Sequence, residues 1–414
     1  MQFPTIFTAS SWPWLLGVVL FAVLGYKKVL SLLGLGTRSR KQLPNYYEMT
    51  GVPPPTPLPN FDIDKATARP YRPFRWAYHQ TMCEFQFAPS PWVIELTCRE
   101  ALKKMEPDWW IELESTYRER IAQRIDLHKK YGKKIINTLP GSELACRELM
   151  EMVIQFICAR YPNQFKFDED TGVLYNRILD KEMNTNEVHP LEVLNGNVPE
   201  DFLITLPDEK TGVYKMVAGV SCSSLGWNVQ TKIGKPLQEI HGPVPDYKEK
   251  MAFSMDRYFS KMACDKPIQR GSWGLEIGQP LWLQDDDPHF KLRETQKPDL
   301  KVEDIYLRVD WQTLRRLPRS RAIVFNFKAL FTPMMEFRNE PYIPQLILKV
   351  MKEGKKGLLD YKGTWHVEHK AIPALEEWSR EQVEKGWVPE DWEVCTLDED
   401  PYYPGWQREA YPHT

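Results

Sequence analysis

Apolar and polar residues alternate most regularly between positions 305 and 327. From Ile305 to Gln312 every second side chain is apolar, and the alternation resumes at Ala322 after a Leu-Pro-Arg-Ser turn at 317–320. Alternation with a period of two puts the apolar side chains on one face of a strand. The pattern therefore predicts two neighbouring strands of an antiparallel sheet with one buried face.

Helical spacing is clearest from Ser142 to Tyr161, where apolar residues recur every three or four positions. Serine is a common first residue of a helix and a proline follows the segment, so both ends are marked. Shorter helices are expected over 247–262, 344–351 and 373–386. Strands and helices together predict a mixed α/β fold of the α+β kind, an antiparallel sheet with added helices.

Another helical region is expected to begin at Glu100 and to carry Trp109–Ile111 near its middle. Glu112 and Glu114 follow these aromatic residues, with two arginines a few positions further along. Interspersed charges at this spacing are typical of a helix face in contact with water. We therefore expect both carboxylates to be solvated.

The N-terminal stretch from Trp12 to Tyr26 is uncharged and almost wholly apolar. Together with residues 6–11 it is long enough for a helix that crosses roughly 30 Å of hydrocarbon. Positive charges follow the run and none precedes it, which favours an uncleaved anchor with the body of the protein in the cytosol. The sequence thus predicts a single-pass membrane protein, in the endoplasmic reticulum if the source is eukaryotic.

The domain boundaries follow from composition. Residues 1–43 hold the predicted transmembrane helix and its basic flank, and residues 44–67 are a proline-rich linker. Its Pro-Pro-Pro-Thr-Pro-Leu-Pro run favours an extended polyproline-like spacer. The globular domain is expected over 68–385, followed by a C-terminal tail over 386–414.

Composition narrows the classes of function. The 414 residues are 42% hydrophobic, enough for a large core, and the net charge of −2 indicates no nucleic-acid partner. Seven scattered cysteines without a Cys-X-X-Cys pair favour reduced thiols over a disulfide framework or a zinc site. The sequence also lacks a glycine-rich dinucleotide fingerprint and ferredoxin cysteine spacing.

A single histidine, His241, stands in the segment that contains the most unusual turn chemistry. A Lys-Ile-Gly-Lys-Pro turn precedes it, and Gly242, Pro243 and Pro245 follow at once. Prolines fix φ and remove backbone donors, so we expect His241 on a stiff corner. From spacing alone, a structural role and a ligand or catalytic role both remain open.

Two acidic segments and a histidine pair are weaker candidates. Asp285 and Asp287 form an Asp-X-Asp pattern, which in some enzymes holds a divalent cation against a diphosphate. A Glu-Asp pair at 200–201 is expected in a surface loop. His366 and His369 are three residues apart, but the absence of a patterned third ligand makes a metal site there incidental.

Several segments resemble, in order, the motifs of the haem-dependent oxidative N-demethylase family, haem-binding alpha subunit type. The segment 221–247 has the order Trp…Lys-X-Gly-X-Pro-Leu…Ile-His-X-Pro-Val-Pro. Residues 269–273 keep the Arg-X-X-Trp of that family as Arg270 and Trp273, and 307–330 resemble its Arg-X-Glu-Arg-Gln-Thr-Leu-X-Arg-Leu-Pro signature. Asp310 and Trp311 replace the Glu-Arg of the signature. The resemblance extends over about 68–378.

The resemblance implies a PAS-like haem-binding domain that activates oxygen and oxidises a small amine or another small organic substrate, with electrons from a separate NADPH-dependent reductase. It implies haem b as the cofactor, with His241 as the axial ligand and Cys222 as the alternative ligand. The expected cofactor-binding side chains are Trp227, Arg270, Trp273 and Arg316. Arg308 and Gln312 are expected to be catalytic and to lie at the cofactor or the substrate end of the pocket.

Two other classes of function remain open. A haem-based gas or redox sensor would share the pocket, although the sequence contains no output domain. A membrane-anchored glycosyltransferase would use Asp285 and Asp287 with manganese. The predicted cytosolic orientation disfavours the glycosyltransferase.

Overall fold

A computed structural model describes residues 43–67, 103–244, 247, 252–354 and 356–394. The larger of two compact units comprises Asn45–Phe167 and Val173–Thr414, and the site described below lies in this unit. No helix among the described residues is long and apolar enough to cross a membrane. The predicted anchor at Trp12–Tyr26 lies outside the described residues.

Helices and strands are interspersed along the described chain. The helices are α1 Tyr46–Thr50, α2 Tyr117–Tyr131, α3 Glu143–Arg160, α4 Pro190–Asn195, α5 Val229–Lys232, α6 Leu237–Ile240, α7 Ala252–Lys261, α8 Ile343–Glu353, α9 Lys356–Lys362 and α10 Trp365–Glu384. The strands are β1 Lys103–Lys104, β2 Ile136–Thr138, β3 Phe165–Asp168, β4 Val173–Asn176, β5 Lys181–Asn184, β6 Asp201–Pro207, β7 Tyr214–Val220, β8 Ile268–Ile277, β9 Ile305–Arg316 and β10 Ile323–Pro333.

The described strands form two sheets. A seven-stranded antiparallel sheet has the order β1-β8-β9-β10-β6-β7-β2, and β3-β4-β5 form a small second sheet. The longest ladder joins β9 to β10, from Pro333 opposite Tyr306 to Ile323 opposite Arg316. The predicted mixed fold with an antiparallel sheet is confirmed. The finer PAS-like description remains a prediction.

The predicted hairpin is confirmed, and its buried face packs on helices. Ile305, Leu307, Val309 and Trp311 lie on one face of β9 in a core cluster shared with α8 and α10. We name this side of the β8-β9-β10 part of the sheet the closed face. Helix α10 begins at Trp365, eight residues before the predicted start, because its apolar side is already needed to cover the sheet there.

The prediction of a helix around Trp109 is wrong. Pro107–Trp109 form a short 3₁₀ turn, and α2 begins only at Tyr117. Proline lacks the N–H that a helix interior requires, and Glu114 instead accepts hydrogen bonds from the backbone N and the hydroxyl of Thr116. Glu114 is also buried against Lys328, at 3.3 Å, so the expected solvated face does not exist.

The proline-rich segment packs on the domain. We name residues 52–61 the proline strap. Its Leu58 N donates to the Arg160 carbonyl at 2.7 Å, and Arg160 Nη1 donates to the Thr56 carbonyl at 2.5 Å. Thr56 N in turn donates to Asp108 Oδ1 at 2.6 Å. The described part of the predicted linker is therefore bound to the globular body rather than acting as a free spacer.

Candidate functional site

The register of the central strands gathers polar residues on the side opposite the closed face. Arg270 of β8 lies directly across from Gln312 of β9, and Gln312 lies across from Phe327 of β10. Opposed residues of an antiparallel pair point to the same face, so these three side chains share one face. We name it the open face, because Arg270 and Gln312 are only half-buried there.

A second row of the open face carries its acidic group. Ser272, Asp310 and Ala329 are paired across β8, β9 and β10 in the same way. In the third row, Arg308 of β9 lies opposite Phe331 of β10. A short polar stretch of sheet therefore holds two arginines, a carboxylate and an amide beside aromatic rings.

Aromatic and aliphatic side chains cover one end of the open face. Trp227, Ile240 and Phe325 pack against a cluster that includes Phe327. The rings of Trp227 and Phe327 have centroids 6.0 Å apart, and those of Phe325 and Phe327 are 5.4 Å apart. This apolar wall includes Phe327 of the row that contains Arg270 and Gln312. One end of the open face is therefore apolar and the other end is polar.

The segment that carries Trp227 is fixed by buried amides. Asn228 caps α5 in a capping box with Thr231. Gln284 donates to the Trp227 carbonyl at 2.6 Å, and Ser224 Oγ donates to the same carbonyl at 2.5 Å. Gln284 directly precedes the acidic triplet. The residue of that segment that positions Trp227 is therefore this glutamine and not one of the aspartates.

His241 directly follows α6, where it ends the helical turn. Gly234, at a φ of 81° that favours glycine, makes the turn between α5 and α6, and Lys232 Nζ donates to the Ile240 carbonyl at 2.8 Å. His241 Nδ1 lies 2.8 Å from the Leu237 carbonyl, and the ring stacks on Tyr247 with centroids 4.7 Å apart. The corner is therefore held by contacts on both sides of His241, with Leu237 before it and Tyr247 after it.

These contacts define the chemistry of the imidazole. A carbonyl accepts only, so the Nδ1 of His241 carries the proton and the Nε2 keeps its lone pair. Burial lowers the pKa of His241 against the opposing effect of the Leu237 hydrogen bond, and the positive charges of Arg270 and Lys232 lower it further. The ring is therefore neutral at pH 7, as a metal ligand must be.

Arg308 is buried and incompletely paired. Its Nε and Nη2 each lie 3.1 Å from Asp310 Oδ1, and Nη2 also donates to the Ser223 carbonyl. Its Nη1 is buried and has no hydrogen-bond partner among the described residues. An unused guanidinium N–H at 3% side-chain exposure is a ready donor for an anionic group.

A lysine approaches the open face around the outer strand. Lys362 Nζ donates to the Trp273 carbonyl at 3.0 Å and lies 4.5 Å from the centre of the Trp273 ring. The pKa of Lys362 is lowered to about 8, mainly by burial and also by the charge of Arg270, while Asp310 opposes the change. Arg270, Lys362 and Asp310 therefore act on each other electrostatically.

Two of the expected cofactor residues lie elsewhere. Trp273 projects from β8 to the closed face, where it is buried in the core with α8 and α10. Arg316 donates to the carbonyls of Met262 at 2.6 Å and Arg321 at 2.7 Å, and also to that of Phe259. The structure thus brings together His241, Trp227, Arg270, Arg308 and Gln312, and separates Trp273 and the engaged guanidinium of Arg316 from them.

Cys222 is fully buried in a network centred on Asp201. Its Sγ lies 3.5 Å from Asn195 Oδ1, and its backbone N donates to Asp201 Oδ1 at 2.9 Å. Burial raises the pKa of the Cys222 thiol to about 12. A protonated, hydrogen-bonded thiol is a poor metal ligand.

The Glu-Asp pair expected in a surface loop is instead buried. Asp201 forms an ion pair with Arg124 at 2.5 Å, and both side chains are fully inaccessible. Glu200 accepts from Asn326 Nδ2 at 3.2 Å. These carboxylates anchor the start of β6, and the expectation of a surface position is wrong.

The rival metal sites gain no support. Asp286 of the acidic triplet lies 3.5 Å from Lys134, and no group of three possible ligands gathers among the described residues. His366 Nε2 lies 3.2 Å from Glu276 Oε1 in the interior. His369 Nε2 instead faces the Lys297 carbonyl at 2.7 Å.

The sequence reasoning missed the aromatic wall of β10 and the role of Asp310. Phe325 and Phe327 alternate with buried polar residues, and this alternation was the available signal for a second face with its own function. Asp310 was noted only as a departure from a motif. Its contact with Arg308 joins residues i and i+2 of one strand, so the period-two pattern of β9 was the available signal for it.

Fold and site together define a class, an α+β protein whose open sheet face combines a neutral imidazole, an incompletely paired guanidinium and an aromatic wall. Residues 101–372, more than half of the chain, match the sequence model of the haem-dependent oxidative N-demethylase alpha subunit-like family. The chain belongs to this family. The family name indicates haem-dependent oxidation, with haem as the cofactor and a substrate and oxygen as reactants.

The residues of the open face fit a haem group. A haem requires an axial donor, apolar walls and cations for its propionates. The His241 Nε2 lone pair, the Trp227–Phe327 wall and the unpartnered Arg308 Nη1 supply one of each. The buried, unpartnered Nη1 is the strongest of these observations, because an orphaned buried donor indicates a missing acceptor.

Proposed function

We propose that the chain binds haem b on the open face and oxidises an N-methylated amine or another small organic substrate with O₂. The observations that carry the proposal are the neutral His241, on which the charge of Arg270 acts, and the buried Nη1 of Arg308, which has no partner among the described residues. The sequence has no Cys-X-X-Cys-His motif, which supports a haem held without thioether bonds. Bound haem supplies the activation of oxygen.

Each residue of the face has a distinct part in this proposal. His241 would hold the haem iron through its Nε2, with the ring oriented by the Leu237 carbonyl. Arg308 and Arg270 hold the propionates, Arg308 through Nη1, because a planar guanidinium matches a carboxylate. The wall of Trp227, Phe325 and Phe327 excludes water from the reacting end.

Gln312 and Asp310 serve the substrate end. Gln312 is half-buried between Arg270 and Phe327, so its amide can orient a polar group above the sheet. Asp310 is 22% exposed and pairs with Arg308, and its carboxylate can attract a protonated amine. Demethylation then balances as amine N–CH₃ plus O₂, two electrons and two protons, giving N–H, formaldehyde and water.

The two electrons come from a separate NADPH-dependent reductase in this proposal. The absence of dinucleotide and iron–sulfur motifs from the sequence supports an external donor. A cytosol-facing domain anchored by Trp12–Tyr26 would meet a membrane-bound reductase at raised effective concentration. Fractionation of cells that express the full chain or a chain lacking 1–43 tests the anchor, and a full chain found in the soluble fraction contradicts it.

An absorption spectrum of the purified protein tests the haem site. We expect a Soret band that shifts on reduction with dithionite and addition of carbon monoxide, and that is lost or displaced in His241→Ala. The matched control is His128→Ala, which removes a histidine from the last turn of α2. A band unchanged in His241→Ala contradicts the ligand role, and no band after haem supplementation contradicts haem binding.

Product analysis tests the reaction separately. Haem-loaded protein is incubated with N-methylated amines, O₂, NADPH and a surrogate reductase, and formaldehyde is measured. We expect formaldehyde release to fall at least tenfold in Gln312→Ala if its amide orients the substrate, with the Soret band retained. Equal rates in wild type and Gln312→Ala contradict the role of Gln312.

A further inference from the structure

Arg315 is a buried arginine whose charge no carboxylate balances among the described residues. It alternates with Leu314 and Arg316, so it projects to the closed face, where it is 6% exposed. The guanidinium lies 3.4 Å from the centre of the Trp110 ring, and its Nη2 lies 3.6 Å from Met105 Sδ. Its Nε is buried and has no hydrogen-bond partner among the described residues.

A buried cation of this kind requires a counter-charge. Burial lowers the pKa of Arg315 to about 9, which still leaves the guanidinium protonated at pH 7. The nearby Tyr47 does not supply a negative charge, because burial raises the pKa of its phenol. An unpaired ion in the interior costs several kcal/mol, so an anion taken up from solution would be bound favourably.

A small cavity lies against this guanidinium. Its volume is about 20 Å³, and its lining includes Arg315, Trp110, Tyr47 and Thr50 but no carboxylate. The Thr50 hydroxyl is already engaged, since it donates to the Tyr46 carbonyl at 2.7 Å. The volume admits about one water-sized group. Among the described lining residues, Arg315 Nε and Trp110 Nε1 are buried donors without a hydrogen-bond partner.

We propose that the cavity beside Arg315 binds one monatomic anion, which is chloride under cellular conditions. The volume is too small for phosphate, sulfate or an organic carboxylate, and the positive charge of the site excludes cations. A water molecule in the same place would accept from Nε but would leave the charge of Arg315 unbalanced. The ion would also hold α1 and the start of the proline strap against the sheet, because Tyr47, Thr50 and Pro53 line the same cavity.

Bromide replaces chloride and can be located directly. Crystals of the full chain, loaded with haem, are grown in sodium bromide, and anomalous scattering is recorded at the bromine edge. We expect an anomalous peak in the cavity within hydrogen-bonding distance of Arg315 Nε. A cavity that contains a water molecule, or no peak, under these conditions overturns the proposal.

Thermal unfolding tests the same site in solution. At equal ionic strength, replacing gluconate by chloride should raise the Tm of the wild type by about 3 °C. Arg315→Met should lose this dependence on chloride, because methionine fills the place against Trp110 without a charge. The control is Arg316→Met, whose guanidinium is satisfied by backbone carbonyls and which should lower the Tm yet keep the chloride effect. Equal Tm values for the wild type in the two salts contradict the proposal even if Arg315→Met does not fold.

Discussion

At the residue scale, the site depends on which atoms are already engaged. The Leu237 carbonyl holds the Nδ1 proton of His241, so the second ring nitrogen is the one with a lone pair. Asp310 engages two nitrogens of Arg308, and the third has no partner in the part of the chain that the structure describes. Arg316, by contrast, donates its N–H groups to backbone carbonyls. Residue type made all three plausible, and hydrogen bonding distinguishes them.

Cys222 provides a test between the two candidate ligands. Because burial raises the pKa of its thiol to about 12, the sulfur stays protonated at pH 7. We expect Cys222→Ala to leave the Soret band and the carbon monoxide difference spectrum unchanged, at a stability cost of about 1 kcal/mol. Cys146→Ala, which also removes a buried thiol, is the control for packing. A displaced Soret band in Cys222→Ala alone would reverse the assignment.

Glu200 should make stability depend on pH. Burial raises its pKa to about 7 from its usual 4.5, while Lys328 and the backbone N–H of Glu112 oppose the rise. Between these two pH values the folded state keeps a proton that the unfolded chain releases. The free energy of unfolding should therefore fall as pH rises from about 4.5 to about 7, by an amount on the order of 3 kcal/mol.

Urea unfolding across this pH range measures the effect. Glu200→Gln should flatten the slope, because glutamine does not titrate, whereas the exposed Glu209→Gln should leave it unchanged. A slope retained in Glu200→Gln would assign the dependence to another buried group.

At the element scale, short helices carry the candidate site residues, and longer strands and helices stabilise these short helices. The one-turn helices α5 and α6 present Trp227 and His241, and neither is long enough to be stable alone. Their stability comes from β7, where Gly234 N donates to the Met216 carbonyl at 2.8 Å. The proline strap depends on α3 in the same way.

Arg160 of α3 should control whether the proline strap stays docked. It donates to the Thr56 carbonyl at 2.5 Å and pairs with Asp108 at 3.3 Å. We expect Arg160→Met to release the strap and make residues 52–61 sensitive to brief treatment with proteinase K, with the cleavage site mapped by mass spectrometry. Arg147→Met, which alters an exposed arginine of the same helix, is the control. Equal cleavage in both variants would mean that the apolar contacts of the strap suffice.

At the scale of the whole molecule, the two faces of one sheet have different roles: one packs in the core and the other carries the candidate site residues. The closed face is covered by α8 and α10, and the open face carries the half-buried arginine, amide and carboxylate. Helices that cover one face stabilise the sheet without occupying the other. This division explains why polar residues can line the open face without loss of the core.

Haem should therefore stabilise the whole domain. A ligand that binds only the folded state raises the Tm, here by roughly 5 °C or more at saturating haem. Protoporphyrin without iron is the control, because it fills the same space but accepts no axial ligand and should give a smaller rise. Equal shifts with the two compounds, measured by differential scanning calorimetry, would show that His241 contributes nothing to binding.

The sequence alone determined the local elements whose pattern is dictated by burial. The period-two run at 305–312 and the helical run at 142–161 became β9 and α3, because each buries one continuous apolar face. Motif order likewise identified the family before any contact was known. Pro107 shows where prediction from apolar spacing fails, because this proline prevents the helix that the spacing around Trp109 predicts.

Tertiary structure decided which candidates meet. Strand register placed Arg270 beside Gln312, and the alternation of side chains along β8 placed Trp273 of the same motif on the opposite face. Burial turned Glu200 from an apparent loop residue into an anchor of β6, and it left Arg315 without a counter-charge among the described residues. Register, burial and charge pairing depend on residues that are far apart in the chain. Local sequence patterns therefore do not reveal them, and the arrangement of the site became clear only from the fold.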